Sequence, residues 1–411
     1  MRLRALVILA ASWLAPTIAC SAEDAVGRRP LETPGAPIRG AMQVPSNIAL
    51  PSVPTFLGEA RGAIVVGMKE GVLRENVGDG SFAPMLVASD RGETSVVGNP
   101  LAIAARGPGD ADGLVLSDRG LYQASSTTLI PSPISEAVVA AGAKTLSVTN
   151  QGPSETLWFT TRKGALVWHG NGLVPLSLVG TSEIERIAGI DDHLALLVAA
   201  EALWELDTHS RAIVRLAEGV GHPTSAARAE NGTLHIGTTT GLWSRSPSGI
   251  IEHRTFAAGG MPPASVRSVA TSFDSVVALV GDDVVSWDGA TSPHVVGSVA
   301  GAIDLAVDAH GDTWTRSQGG LHAFRTGKPV SFERDVKPFV IAHCQSCHAT
   351  GADGAPIRAF DRFDVAKSAA SEIALRLRGA NRPVMPPARA GTLRPADYRV
   401  VLRWQASGTP L

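Results

Sequence analysis

The sequence predicts an all-β seven-bladed propeller followed by a small all-α domain. A short apolar strand, a tight turn and a second apolar strand recur seven times between residues 41 and 328. From residue 331 this pattern gives way to helical signals. A hydrophobic content of 44%, with 43 glycines and 27 prolines, is typical of a folded chain of many strands separated by turns.

Residues 1–19 have the features of an export signal. Arg2 and Arg4 precede the apolar run 5–14, which is too short to span a bilayer as a mature helix. Thr17-Ile18-Ala19-Cys20 resembles the lipobox of bacterial lipoproteins, and this resemblance implies that Cys20 is lipidated. The alternative is a plain signal peptide cleaved nearby, with an incidental Cys20. The expected location is extracytoplasmic, in the periplasm or cell envelope, with the lipid in the outer membrane.

Residues 20–40 are polar, contain prolines and show no periodicity. Such a composition is typical of a flexible linker. We therefore expect the lipidated Cys20 to be followed by a flexible tether that ends at residue 40, with the propeller spanning residues 41–328.

The seven repeats define the propeller. Their central turns fall 37 to 49 residues apart, at Gly71, Gly120, Gly164, Ala202, Gly241, Asp283 and Gly320. Periods near 40 with only short strands indicate four-stranded blades, whereas helical repeats would need a continuous period of 3.6 residues. The seventh repeat has no room for a fourth strand before the helical domain, so the segment 44–49 is predicted to close the ring.

The fifth repeat carries a resemblance to a known family. The stretch 230–243, ENGTLHIGTTTGLW, closely resembles the propeller repeat of two-component regulators. In that family the propeller is usually a sensing or interaction domain, which leaves the ligand of this propeller unknown. The sequence Trp204-Glu205-Leu206-Asp207-Thr208 is similar to the tryptophan motif of quinoprotein dehydrogenases, but it occurs once, and a strand ending in a turn explains it.

The stretch Cys344-Gln345-Ser346-Cys347-His348 has the spacing required for covalent attachment of a c-type haem. Each thiol can form a thioether with one vinyl group, and the following histidine can then ligate the iron. A redox C-x-x-C pair would need a thioredoxin-like context and no adjacent histidine. A zinc site would need a second Cys/His pair, and the chain has only three cysteines.

The C-terminal region resembles a class I c-type cytochrome domain of the kind fused to bacterial extracytoplasmic proteins. The similar stretches are 332–338, Met385-Pro386-Pro387, and Trp404 followed by residues 408–410. The resemblance implies one covalent haem c in a domain spanning 329–411, with His348 as the proximal and Met385 as the distal ligand. Met385 lies near prolines in a stretch that cannot be helical, although a lone methionine can also fill a gap in a core.

The charge distribution and the motifs limit the functions that the chain can have. The net charge of −2 argues against nucleic acid as a partner, while residues 331–411 carry +5 and the remainder −7. We expect an exported, lipid-anchored electron carrier that has a redox partner protein. The alternatives are an oxidoreductase that uses the haem as its electron exit, and a haem gas sensor with an open iron position.

Overall fold

A computed structural model gives the fold. It describes residues 31–34, 38–39, 42–60, 63–69, 71–76, 81–88, 97–104, 113–124, 128–149, 155–162, 164–169, 172–176, 183–229, 231–256, 264–272, 275–287, 293–308, 311–325, 330–348, 358–377, 385, 393, 398, 400–401, 404–405, 409 and 411. Most of the regular structure in these residues is β-strand, and the longer helices all follow residue 330.

Three short strands open the described chain: β1 (Leu31–Pro34), β2 (Ile38–Arg39) and β3 (Ser46–Ile48). Blades 1 to 3 follow, formed by β4 (Phe56–Ala60), β5 (Ala63–Met68), β6 (Gly71–Glu75) and β7 (Phe82–Val87); β8 (Pro100–Ala104), β9 (Gly113–Ser117), β10 (Leu121–Ala124) and β11 (Thr128–Pro131); and β12 (Thr145–Thr149), β13 (Thr156–Thr161), β14 (Gly164–His169) and β15 (Gly172–Leu176). A short helix, α1 (Ser135–Ala140), connects blades 2 and 3.

Blades 4 to 6 have the same four-stranded order. They are formed by β16 (Ile184–Gly189), β17 (Leu194–Ala199), β18 (Ala202–Asp207) and β19 (Ala212–Ala217); β20 (Pro223–Arg228), β21 (Leu234–Thr238), β22 (Gly241–Arg245) and β23 (Ile251–Thr255); and β24 (Val266–Ser272), β25 (Ser275–Val280), β26 (Asp283–Trp287) and β27 (His294–Ser298). Blade 7 contributes β28 (Ala302–Val307), β29 (Thr313–Ser317) and β30 (Gly320–Phe324). The seven predicted repeats are therefore confirmed as the second and third strands of seven blades.

The second strand of each blade is the most buried because both of its faces are covered. All residues of β5, β9, β13 and β21 are buried. Seven hydrophobic clusters lie between successive blades, and one of them joins blade 7 to blade 1 through Leu57 and Trp314. A strand between two such cores needs apolar side chains on both faces, so its sequence contains a short apolar run and does not alternate strictly.

The blades close into a ring. The first strand of each blade contacts the first strand of the next, and β28 contacts β4. The strand β3 pairs antiparallel with β30, with Ser46 opposite Ala323 and Ile48 opposite Leu321. The predicted closure by an N-terminal strand is thus confirmed, and the described residues form a seven-bladed β-propeller.

Part of the predicted tether is wrong, because residues 31–34 and 38–39 are strands. The strand β1 pairs in parallel with β23 at the outer edge of blade 5, and β2 pairs in parallel with β27 at the edge of blade 6. A residue before proline is biased toward extended backbone, and proline is tolerated in an edge strand, so a proline-bearing polar stretch suits this position. We refer to β1, β2 and β3 together as the N-terminal belt.

The outer edges of blades 1 and 2 cover each other. The strands β7 and β11 pair in parallel, with Thr128 opposite Leu86, and this pairing merges the two blades into one eight-stranded sheet. Pairing of this kind removes open strand edges that could otherwise bind another chain.

The C-terminal residues form a separate helical core. A π-helical turn (Phe332–Val336) runs into α2 (Lys337–His343), followed by α3 (Gln345–His348), α4 (Phe363–Ser368) and α5 (Ala370–Leu377). The core gathers Phe332, Phe339 and Trp404, with Phe332 and Trp404 fully buried. Their ring centroids are 5.5 Å apart.

The apolar positions of residues 364–378 predict one helix, but the chain is divided at Ala369, whose backbone (φ −107°, ψ 5°) leaves helical geometry and separates α4 from α5. A proline suits the first turn of a helix, so Pro395 predicts the start of a last helix. Pro395 lies outside the described residues, although Tyr398, Val400, Val401, Trp404 and Gln405 are helical. No helix in the described part of the chain is both long enough and apolar enough to span a bilayer.

Candidate functional site

The two thiols and the imidazole of the C-x-x-C-H motif lie on one helical turn. The backbone N–H groups of Cys347 and His348 both donate to the carbonyl of Cys344, at 3.1 and 2.8 Å. Both cysteines are free thiols. Three potential ligating groups are therefore presented from a single turn, at the point where α2 ends and α3 begins.

The two thiols differ in environment. Cys344 is half-buried and packs against the helical core, whereas Cys347 is exposed. Burial, with a smaller contribution from the neighbouring Cys347, raises the pKa of Cys344 to about 11. A thiol with such a pKa is neutral, whereas the attacking cysteine of a redox C-x-x-C pair has a lowered pKa. This environment argues against the redox interpretation of the motif.

His348 is held by its own backbone and by a stacked ring. Its carbonyl accepts from the N–H of Phe360 at 2.8 Å, and the two rings stack with centroids 4.6 Å apart. Burial lowers the pKa of His348, the Arg358 carbonyl partly opposes this effect, and the charge of Arg376 reinforces it. The Nδ1 atom is buried and receives no hydrogen bond of normal geometry. The imidazole is therefore neutral near pH 7, which is the form that ligates metals.

Met385 lies beside the C-terminal end of α5. Its N–H donates to the carbonyl of Arg376 at 3.2 Å, and the residue is half-buried. Arg376 also acts electrostatically on His348, so this arginine is close to both predicted iron ligands. The neighbouring prolines Pro383, Pro386 and Pro387 lie outside the described residues.

These residues fit a covalently attached haem. Cys344 and Cys347 could form the two thioethers, and His348 has a neutral imidazole with a buried, unpartnered Nδ1 atom. A metal-ligating histidine normally donates this second ring N–H to a carbonyl or carboxylate, and the Arg358 carbonyl is the nearest such group that affects it. Met385 supplies a thioether sulfur, a soft ligand that suits haem iron opposite histidine.

Other predicted features lie outside the described residues. These are Cys20, the signal 1–19, and Arg378 and Arg382, two basic residues that could pair with haem propionates but whose position in the sequence is more typical of solvated charges. Within the described residues, no group of three or more His, Cys, Asp or Glu side chains is arranged to hold a metal ion. The zinc interpretation of the cysteine motif therefore gains no support from this part of the chain.

A cluster of charged side chains lies at the seam between blades 7 and 1. Glu75, Asp308 and Asp312 are buried, and Arg325 pairs with Asp312 at 3.1 Å. The indole N–H of Trp314 donates to Asp308 at 2.8 Å. Burial raises the pKa of Glu75 to about 7, partly opposed by the donated Ile64 N–H and further raised by the two aspartates. This cluster lies within the ring-closing seam.

Sequence reasoning missed an ion-pair network beside the candidate site. Glu372 accepts hydrogen bonds from Arg358 and Arg376, at 2.7 and 2.5 Å. The i, i+4 spacing of Glu372 and Arg376 was a readable signal of a helical pair. The long-range partner Arg358 had no such signal, because it comes from a loop beyond the haem motif.

Comparisons with known proteins do not assign a family. No family model matches the chain, and no curated protein matches it. Among solved structures, the extracellular domain of the putative hybrid two component system BT4673 from B. thetaiotaomicron is 14% identical over 68% of this chain and 39% of its own length, with a TM-score of 0.47. The extracellular domain of the putative hybrid two component system BT3049 from the same organism is 13% identical over 68% of this chain and 41% of its own length, with a TM-score of 0.49.

A streptogramin B lyase structure is 13% identical over 68% of this chain and 96% of its own length, with a TM-score of 0.45. This chain spans about two fifths of the length of the two-component-system domains. Likenesses at this level assign neither an activity nor a partner. The fold assignment above rests on the sheets, cores and ring contacts of this chain.

Proposed function

We propose that this protein is an exported, lipid-anchored haem c electron carrier whose propeller binds a partner or ligand. One observation carries the proposal. The Cys344-x-x-Cys347-His348 motif occupies a single helical turn, with Cys344 packed against a small helical core. Covalent haem attachment uses both thiols and the adjacent imidazole at this spacing.

Four side chains would hold the cofactor, two through covalent bonds and two through the iron. When bound, haem c supplies an iron that accepts and returns one electron. Cys344 and Cys347 fix its edge covalently, His348 offers a neutral nitrogen, and Met385 offers a sulfur. Phe360, stacked on the imidazole, restricts rotation of the ring. A ligand set with two protein donors leaves no open iron position, which favours a carrier over a gas sensor.

The small size of the helical domain also supports a bound cofactor. Its core consists of twelve buried residues from the described part of the chain, and Cys344 lies at the edge of this core. Domains of some 80 residues bury too little apolar surface for comfortable stability. A covalently held macrocycle would extend this core over the surface that carries the thiols.

The charge distribution suggests where a redox partner docks. The stretch 331–411 carries +5, whereas the rest of the chain carries −7. We expect an acidic redox partner to dock on the helical domain, with exchange rates that fall as salt concentration rises.

The experiment that tests the proposal is absorbance spectroscopy and intact mass measurement of the purified mature protein. We expect one covalent haem per chain, a mass consistent with cleavage before Cys20, and added acyl chains. A protein without haem would overturn the carrier proposal. A haem protein that starts at another residue would remove only the lipid anchor.

The distal ligand is tested by Met385→Ala. We expect the oxidised wild type to show the weak sulfur-to-iron charge-transfer band, and the variant to lose it and bind carbon monoxide when reduced. An unchanged spectrum would show that Met385 is not a ligand. Leu393→Ala, another half-buried side chain in the C-terminal region, serves as the control and should keep the band.

The enzyme alternative has its own test. A Cys344→Ser, Cys347→Ser protein is assayed for oxidation or reduction of small molecules with an artificial acceptor or donor. The carrier proposal predicts no turnover by this haem-free protein. Turnover would make the propeller a catalytic domain that uses the haem only as its electron exit.

A further inference from the structure

Glu372, on α5, connects two parts of the candidate haem site. Its Oε2 atom accepts from Arg358 at 2.7 Å and its Oε1 atom accepts from Arg376 at 2.5 Å. Each carboxylate oxygen therefore serves a different arginine. The two hydrogen bonds lower the pKa of Glu372, so the side chain is ionised at neutral pH.

The first arginine belongs to the segment that lies along His348. Arg358 precedes Phe360 by two residues, and Phe360 both donates to the His348 carbonyl and stacks on the imidazole. The Arg358 carbonyl is close enough to affect the pKa of His348. The Arg358 side chain is half-exposed, and its ion pair with Glu372 holds this segment against α5.

The second arginine, Arg376, is hydrogen-bonded to Met385 through its backbone. The carbonyl of Arg376 accepts the Met385 N–H at 3.2 Å, which places the methionine next to the last turn of α5. The Arg376 side chain is partly buried and pairs with Glu372 one helical turn earlier. Displacement of this side chain would disturb the turn that carries the carbonyl.

We propose that Glu372 is a positioning residue that holds the His348 side and the Met385 side of the iron site in register. This inference rests on the proposed function. Groups that bind the partners of metal ligands orient those ligands, and their removal weakens the site. The loss of Glu372 releases Arg358 and Arg376 together, so both ligand-bearing segments gain freedom from a single substitution.

Imidazole titration of the oxidised full-length haem protein tests this role. Imidazole displaces methionine from iron, and loss of the charge-transfer band reports its binding. Because the two ion pairs are partly exposed, we expect Glu372→Gln to bind imidazole about five-fold more tightly than wild type, through easier displacement of Met385. Glu333→Gln removes the exposed Lys337–Glu333 pair of the same domain and should stay within about two-fold of wild type.

The outcomes separate this inference from the proposed function. A wild-type protein without covalent haem or without the band contradicts the proposed function before any variant is compared. A normal wild type, with equal imidazole affinity in Glu372→Gln and Glu333→Gln, overturns the positioning role alone. Should Glu372→Gln fail to incorporate haem, Glu372→Asp keeps the charge on a shorter side chain. Glu372→Asp should bind imidazole more tightly than wild type, but by less than about five-fold. An affinity equal to that of wild type would again overturn the inference.

Discussion

The propeller and the helical domain are stabilised in different ways. The propeller has seven cores between successive blades, and its last blade is completed by an N-terminal strand. The described residues of the helical domain form one core, and Cys344 lies at the edge of that core. His348 there has a buried nitrogen with no hydrogen-bond partner of normal geometry.

This difference shows which interactions stabilise each region. Each pair of neighbouring blades shares an apolar core, so the ring obtains its order from contacts between blades. In the helical domain, the buried Nδ1 atom of His348 lacks a hydrogen bond of normal geometry, which costs stability unless another group satisfies it. We therefore expect the propeller to tolerate loss of the cofactor and the helical domain to depend on it.

The largest expected effect follows replacement of both thiols, Cys344→Ser with Cys347→Ser. If the proposed haem is present, it should be lost completely, and the helical domain should melt far below its wild-type temperature, since the haem would complete its small core. The propeller transition should move by less than about 2 °C, because domains with separate cores unfold separately. Circular dichroism melts with absorbance measure both, and Ser346→Ala is the control. Loss of both melting transitions in the double variant would contradict the expectation that the propeller is stable without the cofactor.

A deletion of residues 41–50 tests the opposite region. It removes β3 and the contacts of Ile48 and Leu50 with the seam core. Strand hydrogen bonds and apolar burial together should cost the propeller about 3 kcal/mol or more, while the haem spectrum stays unchanged. Deletion of residues 22–30 is the control. Equal denaturant midpoints for the two deletions would show that ring closure does not depend on β3.

The seam should also make propeller stability depend on pH. The pKa of Glu75 is raised to about 7 in the folded protein from an ordinary value of 4.5, chiefly by burial. The folded state therefore binds more protons between these values, and stability is lost as pH rises through about 7. Glu75→Gln should remove this loss, gaining about 3 kcal/mol at pH 8 and almost nothing near pH 4.5. Urea unfolding at both pH values measures the effect, and a constant difference would refute it.

A smaller effect is expected from Gly189→Ala at the blade 3–4 interface. A Cβ atom there would lie 2.5 Å from Trp158 Nε1 and 2.5 Å from Thr149 Cγ2. Both neighbours are buried, so the overpacking should cost about 1–3 kcal/mol. Gly172→Ala adds the same methyl group where nothing lies within 4 Å and should be neutral. Similar unfolding midpoints would mean that the interface can adjust.

The sequence was most informative where packing repeats. The apolar runs at residues 63–66 and 157–159 predicted β5 and β13 because a strand buried on both faces must be apolar throughout. The missing fourth strand of blade 7 predicted β3 because an open sheet edge needs a partner. The spacing of the cysteine motif predicted haem attachment, which stays a prediction, and the structure adds that the motif lies on one helical turn.

Features that depend on long-range pairing could not be read in this way. The belt strands β1 and β2 are polar and proline-bearing, and only their partners in blades 5 and 6 give them strand structure. The break at Ala369 interrupts a continuous helical pattern in the sequence, and α4 and α5 on its two sides pack on one core. The ion pair between Arg358 and Glu372 joins segments fourteen residues apart, with no periodic signal between them.

The N-terminal belt also has a mechanical consequence. Residues 31–48 are attached in turn to blades 5, 6 and 7 through β1, β2 and β3. A force that pulls along β1 loads its hydrogen bonds together, in shear, and reaches the ring-closing strand only after two earlier attachments have yielded. The belt therefore protects the seam of the propeller from tension on the N-terminal end of the chain.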